Sequence, residues 1–126
     1  MEIKIYYEDT DCGNVVYYAN YLKFFERART DYMNKRGVDL KAYHEKGIFF
    51  MVASARVDYR SPAHYGETIV VDTWISKFGG ASFIFQYKIT EKESKRLVVE
   101  GETTIVMVDT KQKLKRLDAE MVDKLK

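Results

Sequence analysis

The stretch "YYEDTDCGNVVYYANYLKFFERART", residues 6–30, joins an acidic turn to the start of a helical pattern. Its first part carries three carboxylates, Glu8, Asp9 and Asp11, and continues as "DCGN", a composition typical of a tight turn. We expect Asp9 to cap this turn through its side chain and Glu8 to face solvent. A cluster of this kind is either a solvated surface turn or the place where a catalytic acid is presented.

A long amphipathic helix is predicted directly after the turn, from about Ala19 to Arg36, with Gly37 as its C-cap. Apolar side chains fill half of the helical wheel, which favours a helix cradled by a curved sheet over one that lies on a narrow seam. Arg29 falls near the middle of the apolar half. We favour an ion pair with Glu26, one turn earlier, over a contact with an anionic substrate.

The rest of the chain reads mainly as strands. In "EIKIYYE" (2–8) the alternation predicts a strand with Ile3, Ile5 and Tyr7 on the inner face. After a short helical piece at 39–47, four long strands and a helix capped by Asp118 are predicted, at residues 48–60, 67–78, 82–90, 97–109 and 118–126. Phe83, Phe85, Tyr87 and Ile89 are expected to face inward, and "FGGAS" (78–82) reads as a hairpin turn. Strands at hairpin spacing form an antiparallel sheet, so the fold class is α+β with about five strands.

Composition argues against a nucleic-acid-binding protein. The 126 residues suit a single domain, and 21 basic against 19 acidic residues give a net charge of only +2. A nucleic-acid-binding protein would need a concentrated basic face, so we expect no nucleic-acid partner. For "KQKLKR" (111–116) we favour a solvated loop over a phosphate contact.

Cysteine and histidine usage argues against disulfides and metal sites. Cys12 is the only cysteine, and the two histidines, His44 and His64, lack ligand spacing, so we expect no metal and no cofactor. The chain shows neither a signal peptide nor an apolar run of about 20 residues. We therefore expect a cytoplasmic protein without a transmembrane segment.

The motif "YYEDTDCGNVVYYANYLKFFERAR" resembles the signature of the hotdog acyl-CoA thioesterases of the 4-hydroxybenzoyl-CoA thioesterase family. It is most similar to the Tol-Pal-associated acyl-CoA thioesterase branch. The agreement continues more loosely in "VDYRSPAHYGETIVV" (57–71) and in the strand order. The resemblance implies a single hotdog domain over 1–126, in which the sheet wraps around the long helix. It also implies hydrolysis of an acyl-CoA. Because the sheet edge and outer face would be exposed in a monomer, we expect a homodimer and a dimer-of-dimers tetramer.

Within this family, the resemblance implies that Asp11 is the catalytic carboxylate. Thioester hydrolysis needs a base that activates water or a nucleophile that attacks the acyl carbon, and a carboxylate can do either. A base of this kind works best when it is desolvated, which the flanking aromatic residues would favour. Cys12 adjoins Asp11, but no histidine lies nearby in sequence to activate it, so we do not favour it as the nucleophile.

The resemblance also implies that the backbone amide of Tyr18 stabilises the negative charge that develops on the carbonyl oxygen. The start of a helix has free amides and a positive dipole end, which suits this role. The Tol-Pal branch often has histidine at this position, whereas the hydroxybenzoyl branch has tyrosine, so the implied role is assigned to the amide and not to the phenol. Tyr7 matches a position that lines the site, and the alternative for it is a core tyrosine.

Substrate-binding candidates complete the predicted site. In the hydroxybenzoyl branch, basic residues cluster in the hairpin that here reads "KFGGAS" and retains only Lys77, so that contact set does not transfer intact. Surface cations suit the phosphates of coenzyme A. The candidates are Asn14, Val15, Tyr17, Arg60, Lys77 and Ser82, with Lys115 as a further cation.

Two alternatives stay open at this point. The acyl donor could be an acyl-carrier protein, or the domain could be a non-catalytic acyl-CoA-binding module. A hotdog dehydratase is less favoured because it would need a well-placed histidine, and His44 and His64 lie outside the motif.

Overall fold

The computed structural model describes residues 1–126 as three helices and one six-stranded sheet. The helices are α1 (Asn20–Lys35), α2 (Leu40–Glu45) and α3 (Ala119–Leu125). The strands are β1 (Glu2–Lys4), β2 (Phe49–Tyr59), β3 (Thr68–Phe78), β4 (Ser82–Glu91), β5 (Leu97–Val108) and β6 (Leu114–Lys115). The predicted long helix and four long strands are confirmed to within a few residues at each end.

The sheet is antiparallel with the strand order β1-β3-β4-β5-β2, and β6 pairs with the end of β5. It wraps around α1, which is the hotdog arrangement that the resemblance implied. At one edge, β2 bonds to β5 alone, and its residues 51–56 are all exposed. Trp74, the only tryptophan, lies on the outer face of β3 and is 46% exposed.

The core lies between α1 and the inner face of the sheet. Phe24, Phe25 and Ala28 of α1 are almost fully buried. Phe25 stacks on Tyr87 of β4 with the ring centroids 4.0 Å apart. Gly101 of β5 permits this contact, because a Cβ at that position would lie 2.5 Å from the Phe25 ring. The predicted inward set of β4 is confirmed, and all of its members are buried: Phe83, Phe85, Tyr87 and Ile89.

The predicted first strand is too long, and the inward orientation of Tyr7 is wrong. β1 ends at Lys4, and residues Tyr7–Asp9 form a short 3-10 turn in which Tyr7 is 76% exposed. The Asp9 carboxylate accepts a hydrogen bond from the Tyr6 amide at 2.9 Å, as expected for a capping residue. A side chain that bonds the backbone locally competes with the sheet ladder, so the alternation stops early.

The expected ion pair between Arg29 and Glu26 does not form. Arg29 Nη1 instead donates to the Tyr87 hydroxyl at 3.5 Å, and that hydroxyl lies 2.6 Å from Thr103 Oγ1. Glu26 accepts a hydrogen bond from Thr30. Because Arg29 faces the sheet, its partner comes from a strand far away in the sequence.

The remaining local predictions hold, with one addition. Asp118 caps α3 by accepting from the Met121 amide at 2.6 Å, and Gly37 follows α1 with a φ of 82°. Residues 111–116 are exposed as expected, although two of them form β6. None of the three helices has the length and apolar character needed to cross a membrane.

Candidate functional site

The predicted catalytic carboxylate lies in a tight turn that we call the acid turn, residues 10–16. The Asp11 amide donates to the Val15 carbonyl at 2.9 Å, and Thr10 pairs with Val16. Asp11 Oδ1 accepts a hydrogen bond from the Gly13 amide at 2.8 Å, while Oδ2 has no partner within the chain. Asn14 completes the reversal with a φ of 62°. The "DCGN" turn is therefore confirmed, and it leaves one oxygen of Asp11 free.

The acid turn is docked on a segment that we call the anchor loop, residues 61–67, between β2 and β3. The Val16 amide donates to the Ala63 carbonyl at 2.8 Å, and Val15 forms a β-bridge with His64. The buried Tyr21 of α1 accepts from the Ala63 amide at 3.2 Å. The position of the turn is thus set jointly by α1 and by the anchor loop.

Tyr18 lies between the acid turn and α1, where the resemblance placed an oxyanion donor. Its amide has no acceptor within the chain, and its side chain is exposed. Its carbonyl accepts a hydrogen bond from the Tyr59 hydroxyl at 3.0 Å. Burial, followed by the neighbouring Tyr18 hydroxyl, raises the pKa of Tyr59, so this donor keeps its proton at neutral pH.

A groove of about 280 Å³ opens beside Tyr18. It contains two of the predicted site residues, Tyr18 and Arg60, and Arg60 Nε lies 3.4 Å from a Glu100 carboxylate oxygen. Asp11 is not part of its wall. The seven residues that line the groove are Val16, Tyr18, Tyr21, Tyr59, Arg60, Ser61 and Pro62.

The other predicted residues divide into a near and a far group. Asn14, Val15 and Tyr17 belong to or directly follow the acid turn, and the Tyr7 ring packs edge-on against Tyr65 at 6.0 Å. Lys77 and Ser82 lie at the opposite end of the sheet, separated from the anchor loop by the length of β3, or roughly 30 Å for 11 residues. Within one chain, the structure does not bring them to the acid turn.

Several residues of the site were not predicted from the sequence. Tyr59, Ser61 and Pro62 line the groove, while Glu67 and Arg96 tie the anchor loop to the sheet. The available signal was "RSPAHYGE" (60–67), which holds the only proline beside a cluster of polar residues. No group of three or more His, Cys, Asp or Glu side chains is arranged so that it could hold a metal ion.

Comparisons with known proteins identify the family of the chain and support its fold. A family model described as the thioesterase-like superfamily matches residues 6–125. The chain is 36% identical over 107 residues to acyl-CoA thioester hydrolase YbgC of Escherichia coli O6:H1, and the alignment covers 85% of this chain and 79% of that protein. The structure of this chain is similar to that of the DHNA-CoA thioesterase of Staphylococcus aureus, with a TM-score of 0.91, 31% identity and coverage of 98% of this chain and 83% of that one. It is also similar to Slr0204, a 1,4-dihydroxy-2-naphthoyl-CoA thioesterase from Synechocystis, with a TM-score of 0.92, 24% identity and coverage of 99% and 93%.

Proposed function

The chain belongs to the thioesterase-like superfamily, and from this premise we propose that it hydrolyses an acyl-CoA thioester to the free acid and coenzyme A. The observation that carries the proposal is that two polar groups without a partner in the chain lie close together in sequence, one in the acid turn and one just after it. Asp11 offers a carboxylate oxygen that has no partner within the chain, and Tyr18 offers an amide that has no acceptor. The names of the similar proteins support the same reaction.

In this mechanism, the Tyr18 amide donates a hydrogen bond to the thioester carbonyl oxygen as negative charge develops there. Its place just before α1 adds the positive end of the helix dipole. Two routes then fit Asp11. As a general base, it takes a proton from water, which attacks the acyl carbon; as a nucleophile, it forms a mixed anhydride that water cleaves. In both routes the thiolate of coenzyme A leaves and takes up a proton.

The proposal includes a homodimer formed along β2. Asp11 is exposed in the single chain, so the desolvation that favours its chemistry has to come from another surface. Residues 51–56 of β2 present an unpaired edge of the kind that pairs with a second copy. Antiparallel pairing of two β2 strands would place the partner's sheet end, which carries Lys77 and Ser82, beside the end that carries Tyr59 and Arg60.

The test is a panel of acyl-CoA thioesters of different chain length and aromatic character, followed by detection of the free thiol. Wild type should hydrolyse at least one member, and Asp11→Asn should lower kcat by about 10²- to 10⁴-fold while the fold and oligomer persist. Glu8→Gln is the matched control, because Glu8 is an exposed carboxylate on the same segment.

Each outcome of this panel has a defined meaning. Full activity of Asp11→Asn would refute the assigned role of that carboxylate. Binding of acyl-CoA without turnover would favour a non-catalytic module, and turnover of acyl-carrier-protein thioesters alone would change the donor. The cytoplasmic location stays a prediction.

A further inference from the structure

Glu67 accepts hydrogen bonds from two separate parts of the fold. Its Oε1 accepts from the His64 amide at 2.7 Å and lies 3.2 Å from His64 Nδ1. The same oxygen accepts from Arg96 Nη2 at 3.0 Å, and Oε2 lies 3.3 to 3.4 Å from the two guanidinium nitrogens Nη2 and Nη1. The Glu67 and Arg96 side chains are only 24% and 35% exposed. This is a bidentate, partly desolvated pair, unlike the loose ion pairs of an open surface.

Arg96 reaches the anchor loop at two further points. Its Nε donates to Ser61 Oγ at 3.1 Å, and its Nη2 donates to the Pro62 carbonyl at 2.9 Å. Ser61 Oγ donates in turn to the Leu97 carbonyl at 2.7 Å. One guanidinium therefore ties both ends of the anchor loop to the start of β5.

The acid turn depends on this loop because it has almost no core of its own. Asp11, Cys12, Gly13 and Asn14 are all exposed. Its inter-segment hydrogen bonds to the anchor loop are made by the Val16 amide and by the Asn14 carbonyl, which accepts from Tyr65 at 3.4 Å. A shift of residues 63–65 would carry Asp11 with it.

We infer that Glu67 and Arg96 are positioning residues for the hydrolysis: their ion pair fixes the anchor loop, and through its hydrogen bonds to Val16 and Asn14 it fixes the position of the acid turn that carries Asp11. Neither side chain lines the groove beside Tyr18, so each acts through the anchor loop and not on the substrate. This inference rests on the proposed function.

The single variants that test it are Glu67→Gln, Arg96→Gln and Arg96→Lys, and the double variant combines Glu67→Gln with Arg96→Gln. A misplacement of about 1 Å can lower a rate ~10²-fold, so kcat should fall by roughly 10- to 100-fold while KM changes less than about twofold. Arg96→Lys should lose about as much activity as Arg96→Gln. An ammonium keeps the charge, but it cannot contact Glu67, Ser61 and the Pro62 carbonyl together. The double variant should lose no more than the worse single variant.

The control is Asp118→Ala. Asp118 is a hydrogen-bonded carboxylate that caps α3, and it makes no hydrogen bond to the anchor loop or to Arg96. Loss of this cap should lower stability while leaving kcat near the wild-type value. If Asp118→Ala lowers kcat as much as Glu67→Gln does, the effect is a general loss of stability and the inference is wrong.

A second measurement does not depend on turnover. Hydrogen exchange of a peptide that covers residues 10–18 should be about tenfold faster in Glu67→Gln than in wild type, whereas a peptide from α1 should exchange equally in both. Unchanged exchange in the acid turn would overturn the inference. Absence of turnover in wild type would overturn only the proposed function, because the exchange comparison would still report on the position of the turn.

Discussion

At the residue scale, the two oxygens of Asp11 have different surroundings. Oδ1 accepts a hydrogen bond from the Gly13 amide, and Oδ2 has no partner within the chain. Tyr18 shows a similar division, because its carbonyl accepts a hydrogen bond from Tyr59 while its amide has no acceptor. In both residues one polar group is held within the chain, and the other is the group to which the proposed mechanism assigns a role.

This division leads to a prediction for Tyr59→Phe. Removing the hydroxyl frees the Tyr18 carbonyl but keeps the aromatic ring in the groove, so kcat should fall by about tenfold while the melting temperature changes little. Steady-state kinetics on the best substrate of the panel measures the change. Tyr65→Phe is the matched control, because the Tyr65 hydroxyl makes no hydrogen bond within the chain, and an equal loss of kcat in that variant would contradict the prediction.

At the element scale, periodicity and capping signals in the sequence were sufficient to predict α1 and the four long strands. The alternation of apolar residues identified the buried face of β4, because side chains in a strand alternate between faces irrespective of distant contacts. The end of β1 was mispredicted because the Asp9 cap, a local competitor of the sheet, ends the strand early.

The site could be predicted only in part, for a related physical reason. The acid turn is continuous in sequence, so the motif that carries the family resemblance, with Asp11 and Tyr18, lies in one stretch. The groove needs Tyr59 and Pro62, about 40 residues later, and Arg29 bonds Tyr87, which is 58 residues away. Pairings of this kind are made by strand order and register, which no local pattern contains.

The β4–β5 turn should respond to acid. Hydrogen bonds from the Ser94 and Glu93 amides lower the pKa of Glu91 from 4.5 to about 2. A carboxylate with a lowered pKa in the folded state contributes stability that is fully present above pH 4.5 and is lost as the pH falls towards 2. The melting temperature of wild type should therefore fall across this window.

Circular dichroism melts between pH 2 and pH 7 measure this effect. In Glu91→Gln the melting temperature should depend less on pH, whereas Glu93→Gln, which removes an exposed carboxylate from the same turn, should follow wild type. Identical profiles for wild type and Glu91→Gln would show that the Glu91 carboxylate does not contribute. Glu67 adds to the pH dependence of the wild-type melting temperature. Burial acts to raise the pKa of Glu67, but hydrogen bonds from Arg96 and His64 outweigh burial and lower the pKa.

At the scale of the whole molecule, the β2 edge of the single chain has no second strand to pair with. The sheet end that carries Lys77 also lies far from the acid turn of the same chain. The proposed dimer accounts for both, because antiparallel pairing joins the edges and brings opposite sheet ends together. A charge in the middle of an edge disfavours pairing of this kind, and residues 51–55 of β2 carry none.

We therefore predict that Ala55→Lys dissociates the dimer. Ala55 is exposed in the middle part of β2, so a lysine there should block close approach of a second edge while β2 keeps its hydrogen bonds to β5. Light scattering after size-exclusion chromatography should give half the wild-type mass. Asn34→Lys, on an exposed turn of α1, should leave the mass unchanged. A wild type that is monomeric at all concentrations would contradict the proposed assembly.

The position of Trp74 gives the molecule a spectroscopic reporter. It is the only indole in the chain, and at 46% exposure on the outer face of β3 its emission in a free protomer is that of a partly hydrated ring. Pairing along β2 joins edges three strands away from it and leaves this hydration unchanged. Stacking of two dimers through their outer sheet faces would dehydrate the ring and move its emission to shorter wavelengths. The emission wavelength of Trp74, followed while the protein is diluted, can therefore distinguish a dimer from a dimer of dimers.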